Sequence, residues 1–294
     1  MIAFWGIPAA FSVLLYSRIP LWGLIIAADL VAVILVCMLA YYSNWTGSRT
    51  LRWIHDWAAF PLVVFTYKQF YFIIAPLHRG KDYDWLLIAI DHWLFRTNPT
   101  EWLARLSNPF LTEVLQISYS LFYVFFIAVG LELYLKKDLS EFRYFRFTIV
   151  YGFFLSYLAY LFFPAVGPRF TLHDFSKINI EMPGLFFTPA LRWFVNFFES
   201  IHPGMSNSIA IASAQRDVFP SGHTMMTLMA ITLSWNYKLK VRPYILVVGI
   251  LLIIATVYLR YHYLVDLLAG ALLALSCMAT SRKLFELFRR SNLL

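Results

Sequence analysis

PYILVVGILLIIATVYLRYHYLVDLLAGALLALSCMAT, Pro243 to Thr280, is apolar almost throughout. As a single helix it would reach about 57 Å at about 1.5 Å per residue. That is nearly twice the roughly 30 Å hydrocarbon core of a bilayer. The run therefore has to fold back on itself, and Leu259 to Tyr263, LRYHY, is the polar break at which it turns. Two membrane helices joined by a short polar hairpin is the reading, and it sets the terms for the rest of the chain.

The composition agrees, with 61% hydrophobic, 19% aromatic and only 14% charged residues in 294, too apolar for a soluble domain. A span needs about 20 apolar residues. Working outward from the hairpin spans 243–259 and 262–280, further stretches of that kind fall at 21–43, 54–77, 110–134, 147–164 and 221–236. The expected fold is an all-α polytopic helical bundle of about seven transmembrane helices. Residues 1–16 are apolar but short, suiting a re-entrant or interfacial helix or an uncleaved signal-like segment. Lys and Arg crowd the linkers 44–53, 135–146 and 237–242 and the tail from 281, which places these in the cytoplasm. The 165–217 loop, His223 and the 259–262 turn then face outward. The net charge of +8 reads as an orientation and lipid-surface signal, with no nucleic-acid partner. Cys37 and Cys277 lie inside expected spans and form no disulfide framework.

Between spans, residues 83–106 mix Trp85, Trp93 and Trp102 with Asp84, Asp91, Arg96, Glu101 and Arg105, a pattern for helices lying in the head-group plane. The 165–217 loop is rich in proline and glycine and shows no clear period, which suits a lid. No internal repeat or separable second domain is evident. The expected organisation is one membrane domain over 1–294: N-terminal helices 1–53, a core 54–281 carrying the extracytoplasmic loop 165–217, and a cytoplasmic tail 282–294.

Ionisable groups at a membrane boundary are costly and are functional candidates for that reason. Three stretches qualify, and all fall on the outer side of the expected topology: FFPAVGPRF with Arg169, VFPSGHTMM with Ser221, Gly222 and His223, and RYHYLVD with Arg260, His262 and Asp266. A helix beginning at Ser221 presents unpaired N–H groups suited to an anion, and Gly222 admits close approach. Arg169 brings a forked donor for phosphate oxygens, and Arg260 is a second candidate. Two histidines permit one to attack phosphorus and the other to protonate the departing alkoxide. Asp266, four residues after His262, lies on the same helical face and would hold that imidazole in one tautomer. His173 and His202 are expected to be solvated. Lys68 and Asp29 are embedded in spans, Lys68 either snorkelling or pairing with a carboxylate.

PSGH followed by HYLVD resembles the second and third motifs of the type 2 phosphatidic acid phosphatase superfamily, over roughly residues 145–281. That superfamily includes lipid phosphatases, vanadium haloperoxidases and the sphingomyelin and inositol phosphorylceramide synthases. The resemblance implies a six-helix phosphatase-like core, His262 as nucleophile, Asp266 as its orienting partner and His223 as the acid. It implies a phosphohistidine intermediate without a metal or other cofactor, and the chain shows no cluster of metal-ligand spacing. The departures are specific. Phe162 stands seven before Arg169 where a lysine is common, and Thr256 stands six before His262 where an arginine is common. TVYLRYHYLVDLLAG and IDHWLFRTNPTEWLARL look more like the sphingolipid-synthase branch.

The expected activity is thus that of a lipid phosphatase or phosphotransferase at the extracytoplasmic leaflet, acting on a membrane lipid phosphate. Transfer to a second lipid acceptor, as in inositol phosphorylceramide synthases, is the alternative. From another class, a transporter using Asp29 and Lys68, or a non-catalytic lipid-binding protein, stands against these.

Overall fold

The hairpin at Leu259–Tyr263 is present in the computed structural model, which describes residues 2–202 and 204–290. Every regular element among the described residues is helical. The order is α1 (Ile2–Leu14), α2 (Trp22–Trp45), α3 (Arg49–Trp57), α4 (Ala59–His78), α5 (Asp84–Phe95), α6 (Pro99–Ala104), α7 (Pro109–Ser120), α8 (Phe122–Leu135) and α9 (Leu139–Tyr160). After these come α10 (Pro168–Thr171), a 3₁₀ turn (Phe175–Lys177), α11 (Ile178–Glu181), α12 (Thr188–Phe198) and α13 (Asn207–Ser213). The chain closes with α14 (Gly222–Asn236), α15 (Arg242–Tyr258) and α16 (Leu264–Arg290).

Each expected span has helices at its place. By length and composition, α2, the nearly continuous Arg49–His78 stretch and α16 are able to cross a membrane. The pair α7 and α8, bent by 48° at a one-residue break, makes a fourth if taken together. The other three expected spans are α9, which opens with Glu141, Arg143 and Arg146, and the shorter α14 and α15, of 15 and 17 residues. The short α14 lies at the centre of the bundle against α8, α9, α15 and α16, so protein rather than lipid covers its apolar surface. Residues 2–14 form α1, too short to span about 30 Å. It packs on α2 and α4, with the buried Trp5 donating its indole N–H to Thr66 Oγ1 at 2.8 Å. The expected tail is helical as far as Arg290; residues 291–294 lie outside the described residues, as does Met1.

Lipid tails are as apolar as leucine, so packing rather than water exclusion holds such helices together, and small residues let them approach. A Cβ at Gly152 of α9 would meet the sulfurs of Met226 and Met229 at about 3 Å. A Cβ at Gly270 of α16 would come within 2.5 Å of the Ser221 carbonyl oxygen. Both contacts draw neighbouring helices onto α14.

The bundle has two chemically distinct ends. At one, Glu132 of α8 accepts from the N–H groups of Lys240 and Val241, Arg146 pairs with Asp56, and Arg282 stacks on Tyr144. The four basic segments read from the sequence therefore converge there. At the other end lie the 162–169 loop, the α14 N-terminus and the α15–α16 hairpin. The buried Asp29 pairs with Gln69 and not with Lys68, whose ammonium reaches the Phe198 carbonyl in the long loop. That loop is a built structure, folded into α10 to α13.

Candidate active site

Two loops that carry candidate residues are held together through their backbones. Gly167 adopts φ +97, and a Cβ there would lie 2.9 Å from the Tyr261 carbonyl, so glycine is required both by conformation and by space. The Arg169 N–H donates to the Arg260 carbonyl at 2.9 Å. Two carboxylates of α5 secure the pair. Asp84 accepts from the N–H groups of Val166 (3.0 Å) and Gly167 (2.8 Å) and from the Tyr263 hydroxyl (2.7 Å). Asp91 accepts from the N–H groups of Leu264 and Val265, each at 2.8 Å, satisfying the otherwise orphaned donors that open α16. Ser221 caps α14, its Oγ accepting from the Thr224 N–H at 3.2 Å, while its own N–H donates to the Asp266 carbonyl at 3.0 Å.

These anchors bring His262, His223 and Asp266 together. His262 Nδ1 lies 2.9 Å from the Val218 carbonyl and 3.3 Å from Asp266 Oδ2. A carbonyl can only accept, so Nδ1 carries the proton and Nε2 is left as a bare lone pair. The atom facing that lone pair is His223 Nδ1, 3.5 Å away, at the outer edge of hydrogen-bond range. Asp266 Oδ2 also accepts from the Tyr263 N–H at 2.8 Å, and its Oδ1 is buried without a partner.

Arg169 joins this pair through a stack of rings. Its guanidinium lies 4.8 Å from the Tyr261 ring centre, Tyr261 stacks on Tyr119 at 4.4 Å, and Tyr119 stacks on His223 at 4.7 Å. The guanidinium is 4% exposed. It donates to Asn196 at 3.3 Å and to Glu199, while its Nε is buried without a partner. Arg260 is buried too, but its side chain turns to Glu181 and leaves Nε unpartnered in the same way. Both arginines expected to hold phosphate are thus paired with glutamates of the 165–217 loop. Gly222 meets Tyr160, whose hydroxyl fills the space a Cβ would need.

Several contributors escaped the sequence reading. The sequence pattern reads Asp84 and Asp91 as head-group residues, yet both are buried and hold the site loops; their spacing of seven on an otherwise apolar helix puts them on one face and is the signal that identifies them. Glu113 of α7 caps α12, accepting from the N–H groups of Leu185 (2.8 Å), Phe187 (2.5 Å) and Thr188 (3.2 Å). His173, expected in solvent, is partly buried beside Thr100; burial, reinforced by the Arg260 cation, pushes its pKa down to about 4. His202 is exposed as expected. An apolar groove of about 490 Å³, lined by Trp102, Leu103, Ile254, Val257 and Leu267 among others, runs along α15 and α16 from the hairpin.

A family model of the PAP2 superfamily matches residues 85–280, a stretch that holds PSGH, HYLVD and Arg169. The chain belongs to the PAP2 superfamily. Members of that superfamily are generally phosphatases or phosphotransferases, which makes this chain a membrane protein of a lipid phosphatase and transferase family. It is 28% identical over 199 residues to a PA-phosphatase related-family protein of Dictyostelium discoideum, covering 61% of this chain and 33% of that protein. It is 26% identical over 228 residues to the inositol phosphorylceramide synthase of Candida albicans, covering 73% of this chain and 46% of the synthase. The chain thus spans less than half the length of either relative. No solved structure matches it with significance.

Proposed function

We propose that the chain is a single membrane domain that cleaves or transfers the phospho-group of a membrane lipid at the extracytoplasmic leaflet, through a phosphohistidine. The observation that carries this is the lone pair left on His262 Nε2 by the Val218 and Asp266 acceptors, facing His223. In the first half-reaction Nε2 attacks phosphorus and the bond from phosphorus to the lipid oxygen breaks. His223 gives its proton to the departing alkoxide. In the second half an acceptor oxygen attacks the phosphohistidine, returns a proton to His223 and frees Nε2. Attack distances of about 3–3.5 Å cannot be met inside a 3.5 Å gap, so the substrate has to part the two rings. Arg169, Arg260 and the first-turn N–H groups of α14 from Gly222 onward would carry the phosphate charge, the Ser221 N–H being held by the Asp266 carbonyl. The apolar groove along α15 and α16 suits an acyl chain arriving sideways from the bilayer.

Transfer to a lipid hydroxyl is the second reading, favoured by the likeness to an inositol phosphorylceramide synthase over most of this chain. The test is radiolabelled phosphatidic acid on purified protein in detergent with chelator present, with and without a diacylglycerol, ceramide or inositol-lipid partner. Chelator-resistant release of inorganic phosphate that vanishes in His262→Ala is the phosphatase result. Label appearing in a new lipid only when a partner is supplied is the transferase result. Turnover that survives His262→Ala rejects both.

A further inference from the structure

A second cavity, of about 50 Å³, lies between α4, α8, α9 and the first turn of α14. His223 forms part of its wall, together with Asp217, Tyr67, Tyr157 and Ser156. The last three hydroxyls have given their protons to the protein. Tyr67 donates to Asp217 Oδ2 at 2.6 Å, Tyr157 to the Val63 carbonyl at 3.1 Å and Ser156 to the Phe153 carbonyl at 2.8 Å. What these groups turn to the cavity is oxygen lone pairs and a carboxylate, and the Tyr123 and Tyr160 hydroxyls complete the polar wall. The Asp217 carboxylate accepts an O–H donor and repels an anion, and hydroxyls beside it both donate and accept, so the cavity is matched to an alcohol or water rather than to a phosphate. At about 10–15 Å³ per water, the space admits a few waters or the hydroxyl end of an alcohol, and no whole lipid.

We propose that this cavity receives the acceptor hydroxyl, that Asp217 is the residue that selects it, and that the preferred acceptor carries a second O–H beside the reacting one. Water and polyols share that chemistry; a mono-alcohol lacks it. The inference rests on the phosphohistidine reading and concerns its second half. There the acceptor oxygen bonds to phosphorus and the P–N bond breaks, its electron pair returning to His262 Nε2. The acceptor proton passes to His223, restoring the acid consumed in the first half. The second O–H donates to Asp217, which fixes the attacking oxygen at the His223 wall. Tyr67, through its hydrogen bond to Asp217, positions the carboxylate.

The test separates the two halves by rapid quench with radiolabelled phosphatidic acid on the full chain in detergent, with water alone, glycerol or 1-propanol as acceptor. The expected result for Asp217→Asn is an unchanged burst of acid-labile labelled protein whose decay slows about 10- to 100-fold, the effect of losing a hydrogen bond to a charged group. Glycerol should also lose its advantage over 1-propanol. Tyr67→Phe should retain the burst and slow the decay by a smaller factor, and it carries the test should Asp217→Asn fail to fold. Burst and decay slowed alike, or decay at the wild-type rate, would overturn the inference while leaving the phosphohistidine reading standing. A wild-type protein that never becomes labelled would overturn both.

Discussion

The Val218 carbonyl lies nearer to His262 Nδ1 than Asp266 does, 2.9 Å against 3.3 Å, and this changes the part the aspartate plays. In a serine-protease triad, amidating the aspartate costs about 10⁴ in kcat because the histidine takes the wrong tautomer. Here the carbonyl holds the tautomer by itself. On the proposed phosphohistidine route Asp266 would be left to steady the positive charge that develops on the imidazole when it bonds to phosphorus, while it accepts the Tyr263 N–H. Asp266→Asn keeps one oxygen acceptor, removes the charge and puts an NH₂ in place of the unpartnered Oδ1. Its kcat on phosphatidic acid should fall about 10²-fold, in the range of a single charge-stabilising contact and well short of the triad figure. A loss near 10⁴ would return tautomer control to Asp266.

Among the elements, α12 is the one whose position bears most directly on the proposed phosphate site. Glu113 holds its N-terminal end, and Asn196 and Glu199 at its C-terminal end hold Arg169. Trp193, Phe194 and Phe197 are exposed on it, as lipid-facing aromatics would be. In the proposed site, a lipid phosphate that takes the Arg169 group now paired with Glu199 would displace that carboxylate, so Glu199 would compete with substrate. Glu199→Gln weakens the competitor, and steady-state kinetics should show KM lowered about three- to tenfold, equivalent to about 1 kcal/mol. An unchanged KM would mean that the ion pair persists in the complex. This coupling was hidden in the sequence, where the proline- and glycine-rich loop shows no period and Glu199 stands 30 residues from Arg169. The hairpin and the α14 cap were legible because they are local: an over-long apolar run with one polar break, and a serine directly before an apolar helix. Asp84 and Asp91 were harder to place, since a carboxylate among the tryptophans of 83–106 reads as a head-group contact and only their spacing of seven on an otherwise apolar helix marks them. The partners of Lys68 and Asp29, the Phe198 carbonyl and Gln69, were not legible either, because burial alone does not select a partner.

For the whole molecule, the separation of its two ends turns a count of basic residues into a testable orientation. The basic linkers and the α16 end converge through Glu132, Asp56 and Tyr144. The histidine pair, Arg169 and α12 occupy the opposite end, so assigning either end assigns both. On the proposed orientation, cytoplasmic enrichment of Lys and Arg would put the basic end inside. The background for a test is Cys37→Ser with Cys277→Ala, which removes both native thiols. Single cysteines then go to two exposed positions, Ile180→Cys beside the site and Lys240→Cys at the basic end. In sealed right-side-out vesicles a membrane-impermeant maleimide should label the first at once and the second only after permeabilisation. The reverse pattern would put the site in the cytoplasm, where its substrate would be drawn from the inner leaflet. Labelling of both without permeabilisation would mean that the two ends do not lie across the bilayer from each other, and the crossing pattern read from the hairpin outward would fall with it.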